Sequence, residues 1–270
     1  MMSTRHTDPA RFREAYAAQR AAEGRRLDPN RLRTLPYLAD GQVARQWAVR
    51  ARTYEAFVKR VLLPEMKKHE RPVRLLDLGA GNGWLSHRAA LAGCEAVALD
   101  IRDDDVDGLG AAAAFLGESG MRLERVVASF EMLPLSAEGF DVVVFNAALH
   151  YATDLGLVLR EARRVTRPGG RMVVLDSPFY EREEHGHAMV AEKQCTAAAQ
   201  FGERAQVLLS QPFIEFLTRD MLREASSGLG LVWRRHRVRY PLWYEYRGLS
   251  ARLHGRRPPS RFDLWETHVA

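Results

Sequence analysis

Two cysteines, Cys94 and Cys195, are too few in 270 residues for a disulfide framework or a thiolate-ligated metal site. They read as small packing residues of a protein from a reducing cytoplasm. No apolar run approaches a membrane span. The segment from Met1 to His6 lacks the apolar core of a secretory signal. A cytoplasmic location without a membrane span is therefore the expectation. Internal repeats and low-complexity linkers are absent as well, which favours one domain over an array. Lysine is scarce beside arginine. Glu181, Glu183, Glu184, His185 and His187 crowd together, but they match no metal-ligand spacing on a helix and read as an exposed polar turn. No metal is expected.

The composition that remains is that of a soluble domain able to bury a full core, with 46% hydrophobic and 27% charged residues. The net charge of +6 is unevenly spread. Residues 1–72 carry 16 basic and 8 acidic groups, residues 73–180 carry 10 and 15, and residues 181–270 carry 14 and 11. Between Leu231 and Arg261 nine arginines face one acid, Glu245. Such a stretch suits either a solvated face or a polyanionic partner.

The most informative segment runs from Val73 to Trp84. It reads as a buried strand ending in Asp77 and Leu78, then glycines at 79, 81 and 83, then a helix start. Alternate glycines let the backbone turn tightly and leave no Cβ where a ligand presses on the main chain. A nucleotide-like ligand suits such a loop. The dinucleotide fingerprint would need a third glycine where Trp84 stands, so a pyrophosphate site is disfavoured. Ala96 to Asp100 is a second strand. Its terminal carboxylate suits a ribose diol, the alternative being a cap for the segment that follows. Leu123 to Ser129 is a third strand, and Phe140 to Asn146 a fourth. The fourth leads into Ala147-Ala148-Leu149-His150-Tyr151, which should lie beside any ligand at the carboxyl ends of the sheet. Thr153-Asp154 starts a helix that Arg167-Pro168-Gly169-Gly170 stops, and Arg171 to Asp176 is the fifth strand.

The order Asp77-x-Gly79-x-Gly81-x-Gly83, with Asp100, the fourth-strand tip and the Pro-Gly-Gly turn, resembles class I S-adenosylmethionine-dependent methyltransferases. Within them it is most similar to the broad methyltransferase type 11 group, typified by ubiquinone- and menaquinone-biosynthesis C-methyltransferases. The resemblance covers Val73 to Asp176. It implies an α/β, Rossmann-like fold: a seven-stranded, mostly parallel sheet with helices on both faces and a helical N-terminal lid. It also implies S-adenosyl-L-methionine as cofactor, against Asp77, Gly79, Ala80, Gly81, Asn82, Gly83, Trp84, Asp100, Ile101, Ser129, Phe130, Glu131 and Asn146. Ser129 departs from the family, which usually has an acid there for the adenine amine. The tip Asn146-Ala147-Ala148-Leu149 lacks the Pro-Pro pair of enzymes that methylate nucleobase or glutamine amines.

Methyl transfer from a sulfonium mainly needs positioning, plus a base where the acceptor must lose a proton. His150 is the expected base and Tyr151 the second choice, with His185 and His187 behind them. The expected organisation is a helical lid over 1–72, a cofactor core over 73–180, an insertion over 181–228 that shapes the substrate pocket, and closing strands over 229–270. In the lid one helix covers Ala10 to Arg25 and another ends at Leu63-Pro64. Tyr37, Arg52 and Tyr54 are its candidates to reach inward. In the segment from Ser177 to Leu217, Phe179, Tyr180, Met189, Phe201, Phe213 and Phe216 either line a cavity or pack the insertion. Leu229 to Tyr240 reads as a long strand, Arg247 to Leu253 as a short helix and Arg261 to Val269 as the last strand. The acceptor expected is a small molecule. Two alternatives stay open: a nucleic acid held by the arginine-rich C-terminal stretch, and cofactor binding without catalysis.

Overall fold

A computed structural model describes residues 9–41, 43–117, 121–201, 207 and 209–270, with side chains omitted at 9–12 and 200–201. Met1 to His6 and the Phe201 side chain therefore lie outside the described residues.

The apolar run after Pro72 forms β1 (Arg74–Leu78), buried on both faces. Such a continuous apolar run is what a central parallel strand requires. Around it stand β2 (Glu95–Asp100), β3 (Arg122–Val127), β4 (Phe140–Asn146), β5 (Thr166–Leu175), β8 (Arg234–His236) and β9 (Leu264–His268). They make a seven-stranded sheet in the order β3-β2-β1-β4-β5-β9-β8. The first five pair in parallel, and β9 slots in antiparallel between β5 and β8. Two short parallel strands, β6 (Phe179–Tyr180) and β7 (Leu217–Thr218), form a separate ribbon.

Helices cover both faces. On one lie α2 (Pro29–Thr34), α3 (Ala44–Phe57) and α5 (Trp84–Leu91), whose Leu32, Trp47, Phe57 and Leu85 pack with Leu75, Val142 and Val173 of the sheet. On the other lie α6 (Leu155–Val165) and α8 (Arg219–Ala225), with Val158, Leu159 and Leu222 against Leu76, Val143 and Val174. Asp154 caps α6 by accepting from the Leu157 amide at 2.9 Å. Further helices are α1 (Pro9–Ala22), α7 (Glu183–Phe201) and α9 (Leu242–Leu253). Among the described residues no helix is long and apolar enough to cross a membrane.

Three local expectations need correction. Pro64 does not end the second N-terminal helix. α3 passes through a π-type turn, Val58–Leu62, into α4 (Leu63–Lys68), and Pro64 falls in the first turn of α4, where a missing amide is tolerated. The strand expected over 229–240 shrinks to β8. Gly228 and Gly230 turn the chain before it at φ 76° and 68°, and afterwards the Val238 amide leaves the sheet to donate to Asp263 at 2.9 Å. Glu183, Glu184, His185 and His187 are not a turn but the opening of α7. Cys94 is buried and Cys195 exposed.

Candidate functional site: two joined cavities above the sheet

The chain leaves β1 into a loop whose glycines 79, 81 and 83 all have positive φ, at 72°, 55° and 72°. A Cβ on Gly79 would collide with that of Ala148, and one on Gly81 would stand 3.1 Å from the Asp107 carbonyl. Gly83 then caps α5, and the next residue, Trp84, is buried edge-on against Trp47 at 5.5 Å and Tyr54 at 5.6 Å. The bulk that excludes a pyrophosphate fingerprint thus pins the N-terminal helices to the loop.

Asp100, at the tip of β2, accepts from the Gly81 amide with one oxygen and from the Arg102 amide with the other, both at 2.8 Å. Each oxygen keeps a lone pair for a ligand. Burial pushes its pKa up, partly offset by Arg102. Asp77 lies deeper. It is fully buried, one oxygen accepts from Ser86 Oγ at 2.9 Å, the other has no partner, and burial raises its pKa to about 7.

The first cavity, about 330 Å³, is walled by Gly79, Ala80, Gly81, Asn82, Trp84, Asp100, Ile101, Ser129, Phe130, Glu131, Asn146 and Tyr151. The candidate cofactor residues other than Asp77 and Gly83 therefore come together on one wall. Asp77 and Gly83 support the loop from behind. Asn146 offers a buried Oδ1 that has no partner.

The rest of this wall comes from residues that sequence reasoning did not single out. Arg13, Tyr16 and Arg20 of α1, with Arg25 and Arg50, close the cavity. Their only sequence signal was the three-then-four spacing of Arg13, Tyr16 and Arg20, which sets them on one helical face. Tyr16 lies between two guanidinium groups, Arg20 and Arg102, each 4.7 Å from its ring centre, and donates to the Tyr151 oxygen at 2.9 Å. Tyr37, Arg52 and Tyr54 do not reach inward. Tyr37 packs edge-on against Tyr54, and Arg52 pairs with Glu55 on the surface.

A second cavity of about 800 Å³ adjoins the first, and Arg20, Arg25, Arg50, Ala147 and Tyr151 border both. Ala147 holds this junction at φ 55°, a costly conformation for a residue with a Cβ. His150 lines only the second cavity, with Nδ1 3.4 Å from Ser177 Oγ. Burial, with Lys193, Arg20 and Arg50 nearby, lowers its pKa to about 3. The ring is held neutral and takes up a proton poorly. For Tyr151 burial acts to raise the pKa, yet Arg20, the Tyr16 hydroxyl and Lys193 bring it below the ordinary phenol range. Of the insertion residues, Tyr180 and Met189 face the second cavity and Phe213 the first, while Phe179 stacks on Trp265 and Phe216 packs edge-on against Tyr180. His185 and His187 line neither. Among the described residues no group of His, Cys, Asp and Glu is placed to hold a metal.

Residues 76–174 match the family model described as a methyltransferase domain. Residues 76–174 thus carry a methyltransferase domain of the class I, S-adenosylmethionine-dependent kind. It is 30% identical over 188 residues to a malonyl-[acyl-carrier protein] O-methyltransferase of Erwinia pyrifoliae, covering 68% of this chain and 63% of that protein. It is 32% identical over 102 residues to a ubiquinone biosynthesis O-methyltransferase of Azorhizobium caulinodans, covering 38% and 39%. The chain thus spans less than two thirds of these relatives. The magnesium protoporphyrin IX methyltransferase of Synechocystis PCC 6803, solved with bound S-adenosylhomocysteine, shares the fold with a TM-score of 0.59 at 16% identity, over 97% of this chain and all of that one.

The cofactor of this family is S-adenosyl-L-methionine, and the first cavity fits it. Its floor has no Cβ at Gly79 or Gly81, Asp100 retains acceptor capacity for two hydroxyls, Asn146 Oδ1 lacks a partner, and Arg50, which makes no ion pair among the described residues, is available to a carboxylate.

Proposed function

We propose that this chain transfers a methyl group from S-adenosylmethionine to a small-molecule acceptor held in the second cavity. The observation that carries this reading is the shared border of the two cavities at Ala147 and Tyr151. The bound cofactor supplies an activated methyl on a positive sulfur, and the acceptor's electron pair displaces the thioether. The residues of this chain position the two partners and exclude water. Asp77, Gly79, Ala80, Gly81, Asn82, Gly83, Trp84, Asp100, Ile101, Ser129, Phe130, Glu131 and Asn146 form the cofactor's cradle and its support. Residues 1–72 act as the helical lid over the core of 73–180, and 181–228 with 229–270 complete the acceptor side.

Tyr151 takes the catalytic role first given to His150. It stands at the junction of the two cavities, where Arg20, the Tyr16 hydroxyl and Lys193 favour its phenolate against the opposing pull of burial. His150 shapes the acceptor wall as a neutral ring. The malonyl-[acyl-carrier protein] and ubiquinone-biosynthesis relatives are O-methyltransferases, which supports an oxygen nucleophile. Of the nine C-terminal arginines, three are engaged within the chain and so withdrawn from a nucleic-acid face: Arg235 pairs with Asp263, Arg257 with Glu192 and Arg261 with Glu245.

The test incubates the protein with methyl-labelled cofactor and a fractionated small-molecule extract. Label should enter a low-mass product, and Tyr151→Phe should lower its formation by roughly 10²-fold or more while S-adenosylhomocysteine affinity stays within a few-fold. Label in RNA or DNA would refute the small-molecule reading. Tighter binding of NAD than of S-adenosylmethionine would refute the cofactor assignment.

A further inference from the structure

The second cavity has an unusual charge. Six arginines face it (Arg20, Arg25, Arg45, Arg50, Arg247 and Arg257) against one carboxylate among the described residues, Asp176. Half of them are already paired. Glu23 serves Arg20 and Arg25 at 3.2 and 3.1 Å, Asp107 also meets Arg20 at 3.5 Å, and Glu192 holds Arg257 at 2.5 Å. Asp176 accepts from Thr53 at 2.5 Å and, although it attracts Arg50, makes no ion pair within salt-bridge distance among the described residues. Arg45, Arg50 and Arg247 have no carboxylate within salt-bridge distance among the described residues.

Of these three, Arg50 borders both cavities, so a cofactor carboxylate in the first would claim it. Arg45 and Arg247 face only the second. Both lie over an aromatic ring, Arg45 over Trp243 at 5.8 Å and Arg247 over Tyr244 at 5.3 Å. The two rings touch each other edge-on at 5.6 Å. Two unpaired guanidinium groups are therefore joined by a continuous aromatic surface on α9, with Tyr180, Met189 and Phe262 completing an apolar wall. Guanidinium groups on aromatic faces keep their in-plane donors free for an oxyanion.

We infer that the methyl acceptor carries an oxyanion on an apolar, planar body, and that Arg45 and Arg247 hold this oxyanion as a handle apart from the atom that is methylated. The inference rests on the second cavity being the acceptor site, as proposed above. The nucleophile then lies at the inner end, beside Tyr151, and the handle at the outer end on α9. A volume of about 800 Å³ accommodates such a molecule.

The experiment titrates naphthoate, naphthyl phosphate and naphthamide by calorimetry into the full chain saturated with S-adenosylhomocysteine. The ring is constant, so only the head group varies. At least one of the two anions should bind about tenfold or more tighter than the amide, and whichever binds tighter tells carboxylate from phosphate. Arg45→Met with Arg247→Met should weaken the preferred anion by about ten- to a hundredfold, the scale of bonds to a charged group. It should leave S-adenosylhomocysteine affinity within twofold. Arg45→Lys with Arg247→Lys should retain part of the preference. Equal binding of amide and anions, an unchanged anion affinity in the methionine variant, or no binding of either anion would overturn the inference. Failure of S-adenosylhomocysteine itself to bind would instead overturn the proposed function.

Discussion

The two ends of the seven-residue strand β4 are built on opposite principles. At the amino end Asp141 is saturated: Arg71 donates twice, at 2.8 and 2.7 Å, the Arg74 amide at 2.9 Å and Arg167 at 2.9 Å. At the carboxyl end Asn146 keeps a buried oxygen without a partner, Ala147 sits at positive φ, and His150 is buried among cations. The amino end maximises satisfied polar contacts, whereas the carboxyl end leaves bonding capacity and strain in place. Stability and ligand recognition are thus assigned to opposite edges of one sheet, as parallel α/β sheets generally do.

The largest expected effect tests the satisfied end. Asp141→Ala strands two arginines and an amide and should cost about 3 kcal/mol of unfolding free energy, toward the lower limit for breaking a buried pair because Arg71 is 45% exposed. Urea denaturation measures it, and S-adenosylhomocysteine affinity should not change. The donors hold the Asp141 pKa well below the usual carboxylate range against the opposing pull of burial. Its stabilisation is therefore complete above the ordinary carboxylate pKa and is lost as the pH falls through the folded-state value. An acid titration of the midpoint should show that loss in the parent and not in the variant.

Next in size, and at the ligand end, Asp100→Ala should weaken S-adenosylhomocysteine by about 1.5–3 kcal/mol. It is a sharper probe than a Gly81 substitution, whose Cβ would press on the Asp107 carbonyl and strain the loop whether or not a ligand is present. Unchanged affinity in the calorimeter would reduce Asp100 to a brace for the Gly81 and Arg102 amides. Asn146→Ala should cost about 0.5–1.5 kcal/mol of cofactor affinity with no loss of fold stability, since no protein group now uses that oxygen. A stability loss as large as that of Asp141→Ala would erase the contrast between the two ends.

The smallest effect concerns Asp77, behind the loop. Burial raises its pKa to about 7, so the folded state prefers the protonated acid and stability falls as the pH rises towards that value. The unfolded acid ionises near the ordinary carboxylate value of about 4, so the parent should lose stability that Asp77→Asn keeps as the pH rises from there to about 7, and above that the two urea midpoints should run parallel. Parallel slopes between those two values as well would mean that Asp77 ionises normally.

The strands and the glycine loop were legible in the sequence because their causes are local. A central parallel strand must be apolar on both faces, so Leu75 to Leu78 and Val142 to Phe145 announce themselves, and the loop after β1 needs glycine wherever φ is positive. The first wall of the cofactor cavity followed from the rule that ligands collect at the carboxyl ends of such strands. The remaining wall did not follow. Arg20 meets Tyr151 across 131 positions, and Arg45 lies over Trp243, which only the finished fold can arrange. Local reasoning failed in the same way over β8, whose length was set by Asp263 drawing the Val238 amide out of the sheet. His150 was located at the right strand tip by its sequence position. Its lowered pKa came first from burial and then from Lys193, Arg20 and Arg50, brought around it by the fold. The sequence by itself determined the sheet and the cofactor loop, because periodicity and backbone conformation are properties of neighbouring residues. Only the tertiary structure decided the charge of the acceptor cavity and the protonation of its side chains, because burial and Coulomb interactions depend on what the fold brings within a few ångströms.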